Sequence, residues 1–303
     1  MATSVAKLNI QTRKHEVGNS LGRVAMRRLR RDKITLVALS VVSLLTILAI
    51  LAPVISGALG VSYARTDPTQ TFVKPFGPGN HLLGTDDLGR DHLSRLLYAG
   101  QVSLSVGFIA ALLSLSIGVS LGIITGYYGG VIDDFVTWII STLNSIPSLF
   151  LLLIVAAVLQ PSPGTLIIVL GFLGWTTFTR LVRGETFSIR EREYILSARA
   201  AGASPFRIMF VHILPNLFSI IVISLAIDIG NLILTEAALS FLGLGIKAPT
   251  PSWGNMLTNA ATYFTKGPFL VLAPGLLIFV TVLCLYVIGD GFRDAFDPQA
   301  KDG

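Results

Sequence analysis

Charge is scarce in this chain. Of 303 residues only 13% are Asp, Glu, Lys or Arg, against roughly 25% in soluble domains. Hydrophobic residues supply 52% and the mean hydropathy is +0.72, which excludes an ordinary soluble globule and reads as an integral membrane protein. Cysteine is nearly absent. Cys284 stands alone inside an apolar run, so no intrachain disulfide and no cysteine metal cluster can form. The four histidines, His15, His81, His92 and His212, are scattered and no HExxH pair occurs, so no metal site is assigned. There is also no GxxxxGK[ST] phosphate loop and no GxSxG elbow, so no catalytic residue and no cofactor is expected on this chain. Energy for any work it does must come from elsewhere.

Its positive charge is unevenly placed. The formal net charge is +6, and Lys7, Arg13, Lys14, Arg23, Arg27, Arg28, Arg30, Arg31 and Lys33 crowd residues 1–33, directly before an apolar run. That placement fits a lipid membrane rather than nucleic acid, and the positive-inside rule puts the N-terminus in the cytoplasm. A cleaved signal has an apolar region of about 7 to 15 residues. Here no charge occurs between Lys33 and Arg65, so the first span is expected to stay.

Uncharged runs of about 20 residues mark spanning helices, and six fit: 34–57, about 102–126, two between Asp134 and Arg180 separated by the Gln160 to Gly164 break, about 213–245 and about 268–288. Six crossings return the chain to the cytoplasm for a tail at 293–303. They leave 58–100 as an extracytoplasmic loop and 101–292 as a five-helix core with a cytoplasmic loop at 183–212. The protein is thus expected to be multi-pass in the cell inner membrane.

That cytoplasmic loop is charged and punctuated. Gly202 suits the position past a helix end, while Ser204 and Pro205 suit an N-cap and first helical position, so two short helices should meet at a stiff corner. The bland alternative is an ordinary interhelical loop. Elsewhere, Asp87, Arg90, Asp91 and Arg95 sit at helical spacing, as if on an interfacial helix. An acid/base or metal reading of Asp86, Asp87 and His92 is disfavoured because adjacent helical residues point apart. Asp228 and Glu236 lie within the fifth run, where an ionisable group suggests a translocation path, or else a hydrogen bond to a neighbouring helix. Gly118, Gly122 and Gly126 form a small-residue ladder for close packing, within the chain or to another subunit.

Four stretches carry a family resemblance: LGTDDLGRDHLSRLLYAG from Leu83, SARAAGASPFRIMFVHILPN from Ser197, EAALSFLGLGIKAPTPSWGNML from Glu236 and YVIGDGFRDAFDP from Tyr286. In combination they resemble the C-type permease subunit of ABC importers for dipeptides and oligopeptides, with nickel importers as close relatives. The resemblance implies an all-α fold of six transmembrane helices, the type I importer permease fold with a cytoplasmic coupling helix. It implies partners as well: a second homologous permease subunit, two ATP-binding subunits that hold ATP and magnesium, an extracytoplasmic substrate-binding protein, and a peptide substrate. The coupling set would be Ala198, Arg199, Gly202, Ala203, Ser204, Pro205, Arg207, Leu214 and Pro215; Asp228 and Glu236 stay candidates for the translocation path on their position alone. Ala198, Gly202, Leu214 and Pro215 match the family's loop motif, whereas Leu196 stands at its glutamate, Ser197 at its second position and His212 at its isoleucine. Grip on the ATPase would then rest on shape, Arg199 and Arg207. Two rivals are a proton-coupled transporter using Asp228 and Glu236, and a membrane enzyme centred on Asp86 to His92.

Overall fold

A computed structural model describes residues 21–77 and 79–296; the first twenty residues of the basic segment and the tail beyond 296 lie outside them. Among the described residues the architecture is helical, with one isolated β-bridge between Thr85 and Asp91. A basic helix α1 (Leu21–Leu29) leads into α2 (Lys33–Ile50), capped by Asp32, and a short α3 (Ala52–Leu59). After an irregular excursion come α4 (His92–Tyr128), α5 (Gly130–Asn144), α6 (Ser148–Val158) and α7 (Pro163–Arg190). Then follow α8 (Glu193–Ala200), α9 (Pro205–Arg207), a π-helical segment (Ile208–Ile213), α10 (Leu214–Phe241), α11 (Ala260–Lys266) and α12 (Phe269–Phe296).

The glycine ladder of α4 is answered within the chain. A Cβ on Gly118 would lie 2.4 Å from the Phe178 Cβ, one on Gly122 2.7 Å from the Val182 Cβ, and one on Gly126 2.5 Å from the Thr186 Cβ. Only glycine allows this backbone approach, which dispersion and close packing make the main helix contact in an apolar solvent. Contacts advance in the same direction along both helices, so α4 and α7 run parallel.

That fact decides the topology. Two parallel spans require the chain between them to cross back, and only α5 and α6 lie there. Five helices are long and apolar enough to cross alone; the remaining crossing is broken, contrary to the uninterrupted third span expected from the charge-free run. The break falls at Ser145 to Pro147, because proline lacks an N–H and drives its predecessor out of the helical region. The antiparallel pairs α2–α4, where Gly100 faces Ala49 and Ser56 Oγ of the following α3 meets Ser94 Oγ at 2.8 Å, and α10–α12, where Gly230 faces Leu285 and Gly289 faces Ile227, complete six crossings.

The loop boundaries also shift. The long α7 carries residues 183–190 into the bundle's end, so the exposed connection begins only after Arg190. At the opposite end, α4 starts at His92, ten residues before the expected span, and the charges before it form a turn instead of an interfacial helix. Asp91 is the cap of α4, accepting from Ser94 N at 2.6 Å and pairing with His81 Nδ1 at 2.9 Å. Arg95 therefore pairs not with Asp91 but with Asp86, at 3.3 Å.

Candidate functional site

The connection between α7 and α10 is a packed knob. Arg190 anchors its root: Nη1 donates to the carbonyls of Gly126 (2.9 Å) and Tyr127 (3.3 Å), satisfying the open end of α4, while the guanidinium covers the Phe187 ring. Nearby, Arg183 grips Asp133 of α5 with two parallel hydrogen bonds, Nη2 to Oδ2 at 2.6 Å and Nε to Oδ1. Ile195 of α8 is fully buried against Ile208, Ile213 and Leu217, so the knob has an apolar plug of its own.

Its corner has the local chemistry that the sequence calls for. Gly202 adopts φ +83, the left-handed conformation that other residues resist, and the Ala203 amide returns to the Ala198 carbonyl at 3.0 Å. Ser204 then caps the next helix, accepting from Arg207 N at 3.3 Å, with Pro205 at its start. Pro215 opposes the carbonyl four residues back, at Val211, and the π-helical register of the preceding turn relieves that clash. Asn216 Nδ2 donates to the His212 carbonyl at 2.6 Å, taking up a group freed by the irregular turn. From Pro205 to Phe241 the helical chain is unbroken, 37 residues or about 55 Å.

The outward face of the knob is unfinished. Phe206 is 66% exposed and Phe210 48%, their rings 4.3 Å apart, with Val211, Leu196, Tyr194 and Arg207 also exposed around them. Leu214 and Ala198 are half-buried, whereas Pro215 is exposed. Arg199 is turned partly to the protein itself, its Cζ 5.6 Å from the Tyr127 ring. Phe206 and Phe210 escaped the sequence reading because, in a chain this apolar, an aromatic facing lipid and one facing a partner look alike.

Glu236 and Asp228 part company. Glu236 is 0% exposed and accepts hydrogen bonds from Ser103 Oγ (2.8 Å) and Ser240 Oγ (2.7 Å). Those hydroxyls are in turn reached by Trp253 N (3.2 Å) and Ile246 N (3.0 Å), so one carboxylate ties α10 to α4 and to the loop beyond α10. Of the two places expected for Glu236, a translocation path or a hydrogen bond to a neighbouring helix, the structure of this chain shows the second, with serine hydroxyls as its donors. Trp253, buried and donating from Nε1 to the Leu96 carbonyl at 3.1 Å, reinforces the same junction. Asp228, half-buried on α10, has an Oδ2 with no hydrogen-bond partner.

Comparison with known proteins fits this layout. The family model for the binding-protein-dependent transport system inner membrane component matches residues 118–302. The chain belongs to that family. A second model, the N-terminal TM domain of oligopeptide transport permease C, matches residues 20–75 of this permease. Among curated relatives, the dipeptide transport system permease protein DppC of Alkalihalophilus pseudofirmus is 39% identical over 279 residues, covering 92% of this chain and 90% of the relative. The oligopeptide transport system permease protein OppC of Bacillus subtilis is 36% identical over 282 residues, covering 93% and 91%. The glutathione transport system permease protein GsiD of Pectobacterium atrosepticum is 40% identical over 226 residues, covering 74% and 75%. A chain in an inward-facing crystal structure of the MetNI methionine ABC transporter shares the fold, with a TM-score of 0.52 and 18% identity over 66% of this chain and 96% of its own. The permease is accordingly a multi-span protein of the inner membrane.

Proposed function

We propose that this permease forms, with a second homologous permease subunit, the path of an ATP-driven importer for dipeptides or oligopeptides. The reading rests on the dipeptide and oligopeptide permeases to which it is similar along most of its length. Two ATP-binding subunits hold ATP and magnesium, one docking on this knob from the cytoplasm and the other on the matching knob of the second permease subunit. A substrate-binding protein delivers peptide to the opposite face. Both termini lie in the cytoplasm, as the basic residues around α1 favour.

One observation carries the coupling step: an exposed aromatic pair sits on a knob whose second helix continues, without a loop, into a membrane-spanning helix. Phe206 and Phe210 supply the apolar anchor and Arg207 a charge-assisted contact, while Ala198, Gly202, Ala203, Ser204, Pro205, Leu214 and Pro215 set the shape. Arg199 contributes less than Arg207, because its guanidinium is engaged by Tyr127. When ATP closes the ATPase pair, displacement of the knob tilts α10, and the Glu236 junction passes that tilt to α4 and the outer loop. Asp228, with an unsatisfied carboxylate oxygen at membrane depth, faces the shared passage.

The test is co-purification of the ATP-binding subunits with a Gly202→Val, Arg207→Glu variant. Loss of both association and ATP-driven uptake is the expected result. Retention of coupled uptake would sink the proposal. A proton-coupled alternative would instead give uptake by this chain alone, dissipated by an uncoupler.

A further inference from the structure

At the Glu236 end of the bundle, the 86–90 turn, the first turn of α4 and the chain from Gly243 to Tyr263 enclose a cavity of about 340 Å³. Its charges are unevenly satisfied. Asp86 is fully used: Arg90 Nε lies at 2.7 Å, Arg95 Nε at 3.3 Å, and the amides of Leu88 and Arg90 each donate at 3.0 Å. Asp87 is not. Its one ion-pair contact, Arg90 Nη2, is 3.7 Å away, beyond hydrogen-bond range, and its Oδ1 is buried without a partner. On a different segment of the wall, exposed Lys247 has no ion-pair partner among the described residues. His92, only 1% exposed, lines the same cavity with its Nε2 unpartnered. Tyr263 also lines it; burial raises its phenol pKa, and the Asp87 carboxylate adds to the rise by hydrogen bonding with the hydroxyl, so only Oδ1 of Asp87 is left unmet.

One carboxylate oxygen without a partner and one cation with no ion-pair partner among the described residues share this cavity and form a two-ended demand. A single carboxylate, such as an acidic side chain of a docking protein, would answer Lys247 and leave Asp87 worse off. A metal ion is not what the site asks for, since no group of three or more His, Cys, Asp or Glu side chains among the described residues is placed to hold one. A zwitterion answers both ends, and the volume lies at the small end of the range for ligand pockets, roughly 300 to 1,000 Å³. We propose that this cavity binds a short peptide zwitterion on the outer face, its ammonium at Asp87 and its carboxylate at Lys247, with His92 and Tyr263 offering hydrogen bonds between them. The proposal rests on the peptide-importer reading and adds to it a peptide subsite on the permease itself, outside the membrane-spanning path.

The test uses the assembled transporter in nanodiscs, without its binding protein, titrated calorimetrically with alanyl-alanine. Saturable binding is expected, weakened roughly tenfold by Lys247→Ala and by Asp87→Asn, the size of one charge-assisted hydrogen bond lost. N-acetyl-alanyl-alanine should bind the wild type as weakly as alanyl-alanine binds the Asp87→Asn variant, and that substitution should cost the acetylated peptide nothing further. Absence of binding, wild-type affinity in both variants, or free alanine binding as tightly as the dipeptide would overturn the proposal. So would variants that lose only capture of the binding protein, which would make the cavity a docking socket. Peptide uptake by the intact transporter separates the two readings: uptake without dipeptide binding defeats this subsite alone, whereas no ATP-driven peptide uptake defeats the importer reading.

Discussion

The two ends of the Pro205–Phe241 helical run are finished in opposite ways. At the Glu236 end the carboxylate is met from within the chain: serines reach it, backbone amides reach the serines, and Trp253 closes over them. At the knob end the interior is just as well packed, around Ile195, yet its outer surface leaves two neighbouring phenylalanines and Arg207 exposed. The Glu236 junction is closed by the chain's own groups, whereas the outer surface of the knob is not and is left for a partner. Substitutions at the first should therefore cost stability, and substitutions at the second should cost association.

The largest effect is expected at the junction. Glu236→Leu strands the Ser103 and Ser240 hydroxyls in an apolar site and should lower stability by about 2–4 kcal/mol, read as a drop in the unfolding midpoint of the detergent-solubilised chain. Glu236→Gln, which keeps an acceptor for the serines, should recover most of it. Equal losses in the two variants would show that the carboxylate's charge matters, not its acceptor atoms.

Next comes the knob surface. Phe206→Ala with Phe210→Ala should cost about 2 kcal/mol or more of ATPase-subunit affinity, the scale of an aromatic hot spot. Stability of the isolated chain should change by no more than about 0.5 kcal/mol. If the double variant unfolds early yet still binds its partners, the contrast between the two ends is wrong.

Gly202→Val probes the corner between them. A Cβ added there would meet no atom within 4 Å, so the cost is backbone strain at φ +83, about 1–2 kcal/mol. Gly202→Asn, which tolerates that conformation better, should restore ATP-coupled uptake lost in the valine variant.

The smallest effect concerns the cap of α2. The Thr35 hydroxyl beside Asp32 holds its carboxyl below the ordinary value of 3.8. A depressed folded pKa adds stability that is fully present above that ordinary value and disappears as pH falls through the folded one. The difference between wild type and Asp32→Asn should accordingly be small at neutral pH and vanish in acid, as followed by thermal unfolding across pH.

Local signals made much of this legible. Runs without charge locate the spans, and Gly202, Ser204 and Pro205 mark the corner because turn and cap chemistry acts over a few residues. Distance defeats such reading elsewhere. Nothing near Glu236 says that its partner is Ser103, or that Asp86 rather than Asp91 holds Arg95. The broken crossing at Pro147 hid inside an apolar run long enough for two helices, and only the parallel course of α4 and α7 exposes it.

The pairing of α4 with α7 also has a consequence in time. Gly122 meets Val182, so about sixty residues must be synthesised after the glycine face before its counterpart exists, roughly 3–12 s at typical elongation rates. Throughout that interval a smooth, small-residue stripe faces lipid or the insertion machinery with its proper neighbour still unmade. Any other helix bearing a bulky ridge can occupy the groove first, which makes the order of insertion, as much as the final packing, part of what this sequence has to specify.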